Sequence, residues 1–443
     1  VHSSLTAFDG NTEQDDVVEQ GFIIRSSVQK KTRIAVIGGG ASGLTAAWML
    51  REKGYRHVTV FEKESHVGGK CKTVSIANRS YELGAILHLS GTEPIASLIR
   101  EFGLDTFDGT VVPQPDPRQS PLFDFRAQRP FAYPKRLRAF AAAIRFSVMT
   151  LFRPEICCPG HENISEDLAV PLSDWLERNG LSSLQLLFSC WMSGFGYGYS
   201  EQIPAAYALK FCNPRMIWRS LLDDGLVSFS SGYQNLWARV AERLDIRLGH
   251  AVTRITRGDR VIVAAENAEF EFDKVILCCD LRTIAPALDL DEEESELIGR
   301  IRNHRFHAVI AEVENMPSRV AFVTDHFSDR LPGAIVSWYQ RWSERNLFNL
   351  YAISTDKINE EEVHRRIDQN VRDLGGKFVR VISSQNWNYF PCVSHDDLKA
   401  GFYRRLEARQ GQRNTFYAGE VMHFPSADLL AAYSAQLVER HFA

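Results

Sequence analysis

The run Arg33-Ile-Ala-Val-Ile-Gly-Gly-Gly-Ala-Ser-Gly-Leu-Thr-Ala-Ala-Trp-Met-Leu50 constrains this chain more than any other stretch. A short β-branched segment passes through Gly38, Gly40 and Gly43 into an Ala/Leu-rich helix, so strand, tight turn and helix follow without a spacer. Gly38 permits the turn, Gly40 lets the backbone approach a pyrophosphate, and Gly43 lets helix and strand pack closely. Ser42 stands in the first helical turn, whose free amides attract phosphate. A second strand, His57-Val-Thr-Val-Phe-Glu62, ends in an acid 19 residues beyond Gly43. A carboxylate there accepts hydrogen bonds from an adenosine ribose and disfavours a 2′-phosphate. The expected ligand is therefore a dinucleotide, and not NADP.

The rest of the composition narrows the class. With 443 residues, 44% of them hydrophobic and 24% charged, the chain is long enough for two or three domains and too apolar for disorder. Its net charge of -4 offers no global field for nucleic acid. The longest stretch without a formal charge, Leu181 to Ser200, carries Ser, Gln and several glycines that lipid would leave unpaired, so no membrane span is expected. Residues 1–32 read as a flexible polar extension with an acidic patch, and the first residue, Val1, leaves room for a targeting segment upstream. None of the eight cysteines stands in CxxC spacing; they are expected to be reduced and mostly buried, in a cytoplasmic protein. His304 and His307 could share a helical face, but no carboxylate or Cys completes a ligand set, so no metal is expected. No HExxH, GxSxG, Walker sequence or internal repeat is present.

Three further strings carry a resemblance. Glu62-Lys-Glu-Ser-His-Val-Gly-Gly-Lys70, Tyr81-Glu-Leu-Gly-Ala85 and Asn414-Thr-Phe-Tyr-Ala-Gly-Glu420 are similar, in order, to motifs of the flavin amine oxidase and phytoene desaturase superfamily. That resemblance implies an α/β fold: a Rossmann-type, glutathione-reductase-like FAD-binding domain with an inserted α+β substrate domain. It implies noncovalent FAD contacted by Gly38, Gly40, Ser42, Gly43, Glu62, Gly69, Lys70, Gly84, Ala85, Val252, Gly419, Glu420 and Leu429. The FAD-binding domain is expected to comprise residues 33–87, 232–280 and 387–443, and the substrate domain 88–231 and 281–386. Ile246 to Ile255 and Lys274 to Cys279 read as strands, and Ala427 to Phe442 as the last helix, with Ser434 expected to alter contacts to the flavin pyrimidine.

Only one dinucleotide motif follows a strand, because the glycines of Ser193-Gly-Phe-Gly-Tyr-Gly198 lack a preceding β-branched run. With no nicotinamide site, hydride must come from the substrate, which leaves oxidases, desaturases and redox-neutral isomerases. Phe195 to Lys210, Trp387 to Gly401 and Gly411 to Glu420 closely resemble bacterial polyunsaturated fatty acid double-bond isomerases, FAD enzymes that make conjugated linoleic acid. The resemblance implies hydride transfer to flavin N5 and back to another carbon, in a dry channel whose aromatic walls stabilise a substrate cation. Phe195, Tyr197, Tyr199, Trp387, Tyr389 and Phe390 are the expected walls, with core packing as the competing role for each.

The family anchors its fatty acid through an Arg in a loop where this chain has Gln114; Arg118 or Arg126 replaces it after a shift of register. The expected partner is an unsaturated fatty acid or a similar hydrophobic polyene. An amine oxidase or desaturase is the competing activity, marked in amine oxidases by a Lys-water-flavin arrangement, and a flavin-holding protein without turnover is a third class. Lys135 to Arg153 reads as a basic amphipathic helix, either a membrane-surface contact or a lid or core-facing helix with a solvated basic side. Asp291 to Glu296 reads as a solvated acidic helix start, and Glu361/Arg365 with Glu362/Arg366 as surface pairs.

Overall fold

A computed structural model describes residues 30–89, 91–109, 120–221, 226–343 and 345–443. Arg118 and Gln114 lie outside the described residues, as do the first 29 positions.

The apolar run before the glycine turn becomes the strand Lys30–Ile37, the centre of a five-stranded parallel sheet. From one edge to the other the strands are Asp245–Arg247, Tyr55–Phe61, Lys30–Ile37, Lys274–Leu277 and Thr415–Tyr417. Numbered along the chain this is the order 3-2-1-4-5 of a doubly wound nucleotide-binding sheet. Ile34, Ala35 and Val36 have no exposed surface, as a strand covered on both faces requires. The turn helix Ala41–Glu52 packs along the C-terminal helix Ala427–His441, the two joined by the buried Ser42 and Ser434 hydroxyls, 2.7 Å apart. Ser434 thus braces the helix pair and does not line the cavity described below, contrary to its expected flavin contact.

The expected strand Ile246–Ile255 is broken. Gly249, at φ +69°, turns the chain after Asp245–Arg247, and a second strand, Val252–Arg257, starts a separate three-stranded antiparallel sheet. The turn donates the amides of Gly249 and His250 to the carbonyls of Glu64 and Glu62, which holds His250 and Val252 beside the Glu62 acid.

The second layer is a seven-stranded sheet, antiparallel except where Leu122–Asp124 meets Ala321–Val323. Its edge strand Lys377–Cys392 pairs with Arg302–Glu314 along nearly its whole length, so the Trp387-to-Phe390 string is continuous with the strand that precedes it. Helices Arg136–Thr150, Leu172–Arg178, Gln185–Gly194 and Ala205–Phe211 cluster nearby around Phe146, Trp175 and Phe188.

His304 and His307 sit on a strand rather than a helix, three residues apart and therefore on opposite faces. His304 donates from Nε2 to the Gly196 carbonyl at 2.6 Å, and His307 is bonded to Ser354 Oγ at 2.7 Å. The acidic helix start at Asp291 is only partly solvated: Glu294 closes a capping box and turns inward to the fully buried Arg257 guanidinium, at 2.6 and 2.8 Å. Both Arg365 and Arg366 pair with Glu362.

Candidate flavin and substrate site

The glycine turn opens at the carboxyl ends of Lys30–Ile37 and Lys274–Leu277, where the strand order reverses and open α/β sheets bind ligands. Gly40 caps the turn helix without a side-chain bond, leaving the first helical amides free. Its backbone faces Gly69, where a Cβ would meet Gly40 Cα at 3.1 Å, so the two glycines form a narrow cradle. Glu62 is fixed by amides of Gly39 at 2.7 Å and Glu64 at 2.9 Å, which leaves lone pairs on both oxygens for ribose hydroxyls. Lys70 pairs with Glu420 across the cradle, and burial pushes the Glu420 carboxyl upward against the pull of that ammonium. Ala85 donates its amide to the Lys70 carbonyl at 2.8 Å, and a Cβ on Gly84 would fall 1.8 Å from the same oxygen. A second helix N-terminus, capped by Ser426 through the Leu429 amide, enters the same space.

One cavity of about 1520 Å³ joins this cradle to the helical cluster and the seven-stranded sheet. That exceeds the ~300–1,000 Å³ of an ordinary small-molecule site and suits a dinucleotide with a second molecule beside it. Gly38, Gly40, Ser42, Glu62, Gly69, Lys70, Gly84, Ala85, Val252, Gly419, Glu420 and Leu429 all line it. Gly43 does not: it is the packing glycine behind the turn, where a Cβ would meet the Gly38 carbonyl oxygen at 1.9 Å.

Four rings from four separate segments form one wall. Tyr197 stacks on Tyr389 (5.4 Å, 20°), Tyr389 on Phe306 (5.0 Å, 28°), and Phe306 on Tyr351 (5.3 Å, 22°), and all four line the cavity. Gly196, at φ +85°, makes the stack possible, because a Cβ there would lie 2.2 Å from the Phe306 ring. Burial pushes the Tyr197 and Tyr389 phenols upward, so both stay protonated, and holds His304 neutral at about 4. Phe195 and Trp387 line the cavity as well, the latter tied by its indole N–H to the Leu83 carbonyl at 2.6 Å.

Two expected wall residues stand elsewhere. Phe390 is fully buried behind the wall against Tyr197, Tyr207 and Phe424, and Tyr199 packs into the sheet core.

Residues 41–435 match the flavin containing amine oxidoreductase family. The chain belongs to that family. As a member it is an FAD-dependent enzyme of the isomerase and oxidoreductase group. The cradle fits FAD: the paired glycines would admit the pyrophosphate and Glu62 would accept from the adenosine ribose, with Lys70 and Glu420 paired in the same cavity. A CLA-producing fatty acid isomerase from P. acnes has a crystal structure similar at TM-score 0.87 and 28% identity, covering 94% of this chain and 100% of that one. Putrescine oxidase bound to putrescine, at TM-score 0.68 and 18% identity over 92% of this chain and 98% of that one, shares the fold. The FAD-dependent oxidoreductase dpasF of Apiospora sacchari is 22% identical over 439 residues, 89% of each chain.

The family site holds residues that sequence reasoning missed. Lys210 lines the cavity and is 4% exposed, with its ammonium donating to the carbonyls of Glu155 and, at 2.7 Å, Cys158. Burial lowers it to about 8. The buried His423 lines the cavity beside it, and His161 stands behind, 5.6 Å from His423 ring to ring; burial holds both imidazoles neutral. A signal was present in the sequence: Lys210 is the one charge between Glu201 and Arg215, in an otherwise apolar aromatic helix. Asp428, at the start of the C-terminal helix, pairs with the buried His88 and also lines the cavity. All eight cysteines are free, and Cys157 and Cys158 are exposed where burial was expected.

Proposed function

We propose that this protein is a double-bond isomerase of a long polyunsaturated acid, working with noncovalently bound FAD. The observation that carries the reading is the four-ring stack, which lines the same single cavity as the nucleotide cradle. The P. acnes fatty acid isomerase, similar along almost the whole chain, supports it. FAD, held by the glycine cradle, Glu62 and Lys70, would supply a reversible two-electron acceptor of hydride.

This chain's residues supply the environment for the charge that develops on the substrate. An aromatic face left open to the cavity stabilises a delocalised cation by about 0.5–2 kcal/mol, and Tyr389 already has one cation near it, the Lys70 ammonium 5.4 Å from its centroid. The protonated phenols of Tyr197 and Tyr389 add no anionic nucleophile to trap that cation. Phe195, Phe211 and Trp387 keep the surrounding wall apolar. Lys210 offers the carboxylate anchor: its charge is met in the structure only by carbonyls, and a substrate carboxylate would complete it.

Turnover of linoleic acid deuterated at the carbon between its double bonds tests the reading. An isomerase returns a product with the same number of hydrogens, one deuterium having left that carbon for another; a product two hydrogens lighter, or deuterium retained in full at the original carbon, contradicts it.

A further inference from the structure

The helix Arg136–Thr150 has two apolar faces. Ala142, Ala143, Phe146 and Thr150 are buried against the protein. On the other side Leu137, Phe140, Ile144, Val148 and Leu151 stand in water, from 46% exposed at Ile144 to 87% at Leu137. Spacings of three and four residues keep these five on one stripe, and Phe152 follows at 83% exposure. Among the described residues, six of the nine large exposed hydrophobics fall in this one segment, where a water-facing surface would scatter them singly.

The flanks carry one sign of charge. Between Lys135 and Arg153 there are five basic residues and no acid. Arg153 is held by Asp167 and Glu155, while Lys135, Arg136, Arg138 and Arg145 are exposed. Helical spacing puts Arg138 and Arg145 on one shoulder of the stripe and Arg136 on the other. The inner side of this same helix meets the cavity, which Ser147 and Thr150 help to line, and Leu151, at the end of the stripe, reaches the cavity's rim. Trp218 ties the two sides together, donating its indole N–H to Ser147 Oγ at 2.8 Å and meeting the Phe140 ring edge-on at 5.7 Å.

We propose that this helix docks the protein on an anionic phospholipid bilayer, with the stripe in the acyl boundary and the arginines among the phosphates. The cavity beside it then receives its apolar substrate from the bilayer without a passage through water. The helix lies on the membrane and does not span it, since no described helix is long and apolar enough to cross. Charge complementarity selects the partner: basic shoulders without acids attract anionic headgroups by roughly five-fold in partitioning per residue.

The test is co-sedimentation of the flavin-loaded protein with vesicles of phosphatidylcholine alone, or mixed with phosphatidylglycerol. The native protein is expected to pellet with the anionic vesicles and to be released by high salt. Leu137→Ser with Phe152→Ser, at two exposed positions outside the cavity lining, should cut partitioning at least ten-fold while flavin absorbance and melting stay unchanged. Arg136→Gln should cut it about five-fold. Absence of pelleting with either vesicle overturns the proposal, as does pelleting that the double variant leaves undiminished. A native dimer in light scattering that this variant dissociates, with no vesicle binding, also overturns it and assigns the stripe to a second copy. Because binding is read without turnover, these outcomes are independent of the substrate.

Discussion

Two alanine substitutions, three residues apart, separate packing from ligand binding in the glycine turn. In Gly43→Ala the new methyl carbon lies 1.9 Å from the Gly38 carbonyl oxygen and 3.2 Å from Val36 Cγ1. Unstrained contacts run at about 3.5–4.0 Å, so the helix and turn must separate by about 1.5 Å or more. Overpacking of that kind costs about 1–3 kcal/mol and displaces the phosphate-binding amides as well. In Gly40→Ala the methyl carbon meets only Gly69 Cα, at 3.7 Å, and the backbone, at φ -84° and ψ -175°, is one that any residue adopts. The flavin-free protein should keep its stability within about 0.5 kcal/mol. The methyl group nevertheless occupies the space a pyrophosphate needs, so FAD affinity should fall at least ten-fold, about 1.4 kcal/mol. Urea unfolding of both flavin-free variants, with FAD titration followed by flavin fluorescence, reads the two quantities separately. The expected pattern is loss of both for Gly43→Ala and of affinity alone for Gly40→Ala. Native FAD affinity in Gly40→Ala would refute the assignment of the cradle to the pyrophosphate.

Three other outcomes follow from the site and its support. Because burial lowers Lys210 to about 8 and only the ammonium binds a carboxylate, KM for the free acid should rise as pH passes through about 8. KM for its methyl ester should stay flat, and Lys210→Met should abolish the difference; equal pH profiles for acid and ester in the native enzyme would contradict the anchor. Tyr389→Leu should lower kcat by ~2–30-fold while Tyr389→Phe stays near native, since the ring face and not the hydroxyl acts; steady-state kinetics that rank the two equally would refute this. Arg257→Met leaves the buried Glu294 carboxylate only Tyr417 and the longer pairs with Arg413 (3.5 Å) and Arg409 (3.7 Å), and should cost about 2 kcal/mol in urea unfolding. Burial opposes ionisation of Glu294, yet the bonds from Arg257 and Tyr417 still hold its carboxyl below its ordinary value. Native stability from this group is therefore full above the ordinary carboxylate range and is lost as pH falls through the lowered value, a decline that Arg257→Met should flatten.

The nucleotide half was legible because its signals are local. Strand, glycine turn and helix lie within twenty residues, and Glu62 closes the next strand, so spacing alone carries the geometry. The substrate wall was only partly legible, since Phe306, Tyr351 and Tyr389 meet through sheet register and Tyr197 joins them from a loop almost two hundred residues before Tyr389. Phe306 and Tyr351 lie in β-branched and apolar runs that read as ordinary core. Phe390 was legible by period-two alternation, which puts it on the face opposite Tyr389, and its φ of +54° marks a kink in the strand there. Lys210 was legible only as the one charge in an apolar helix, a signal with no motif behind it. Ser434 was misplaced for a similar reason: a helix position says nothing of which neighbour its face meets, and here it is the turn helix.

The central claim is a redox-neutral rearrangement of a polyene. It is tested most directly by incubating the flavin-loaded protein in air with linoleic acid, following conjugated-diene absorbance and hydrogen peroxide in the same cuvette. Rising diene without peroxide is the predicted result; peroxide formed in proportion to substrate consumed would contradict it and place the enzyme among the oxidases.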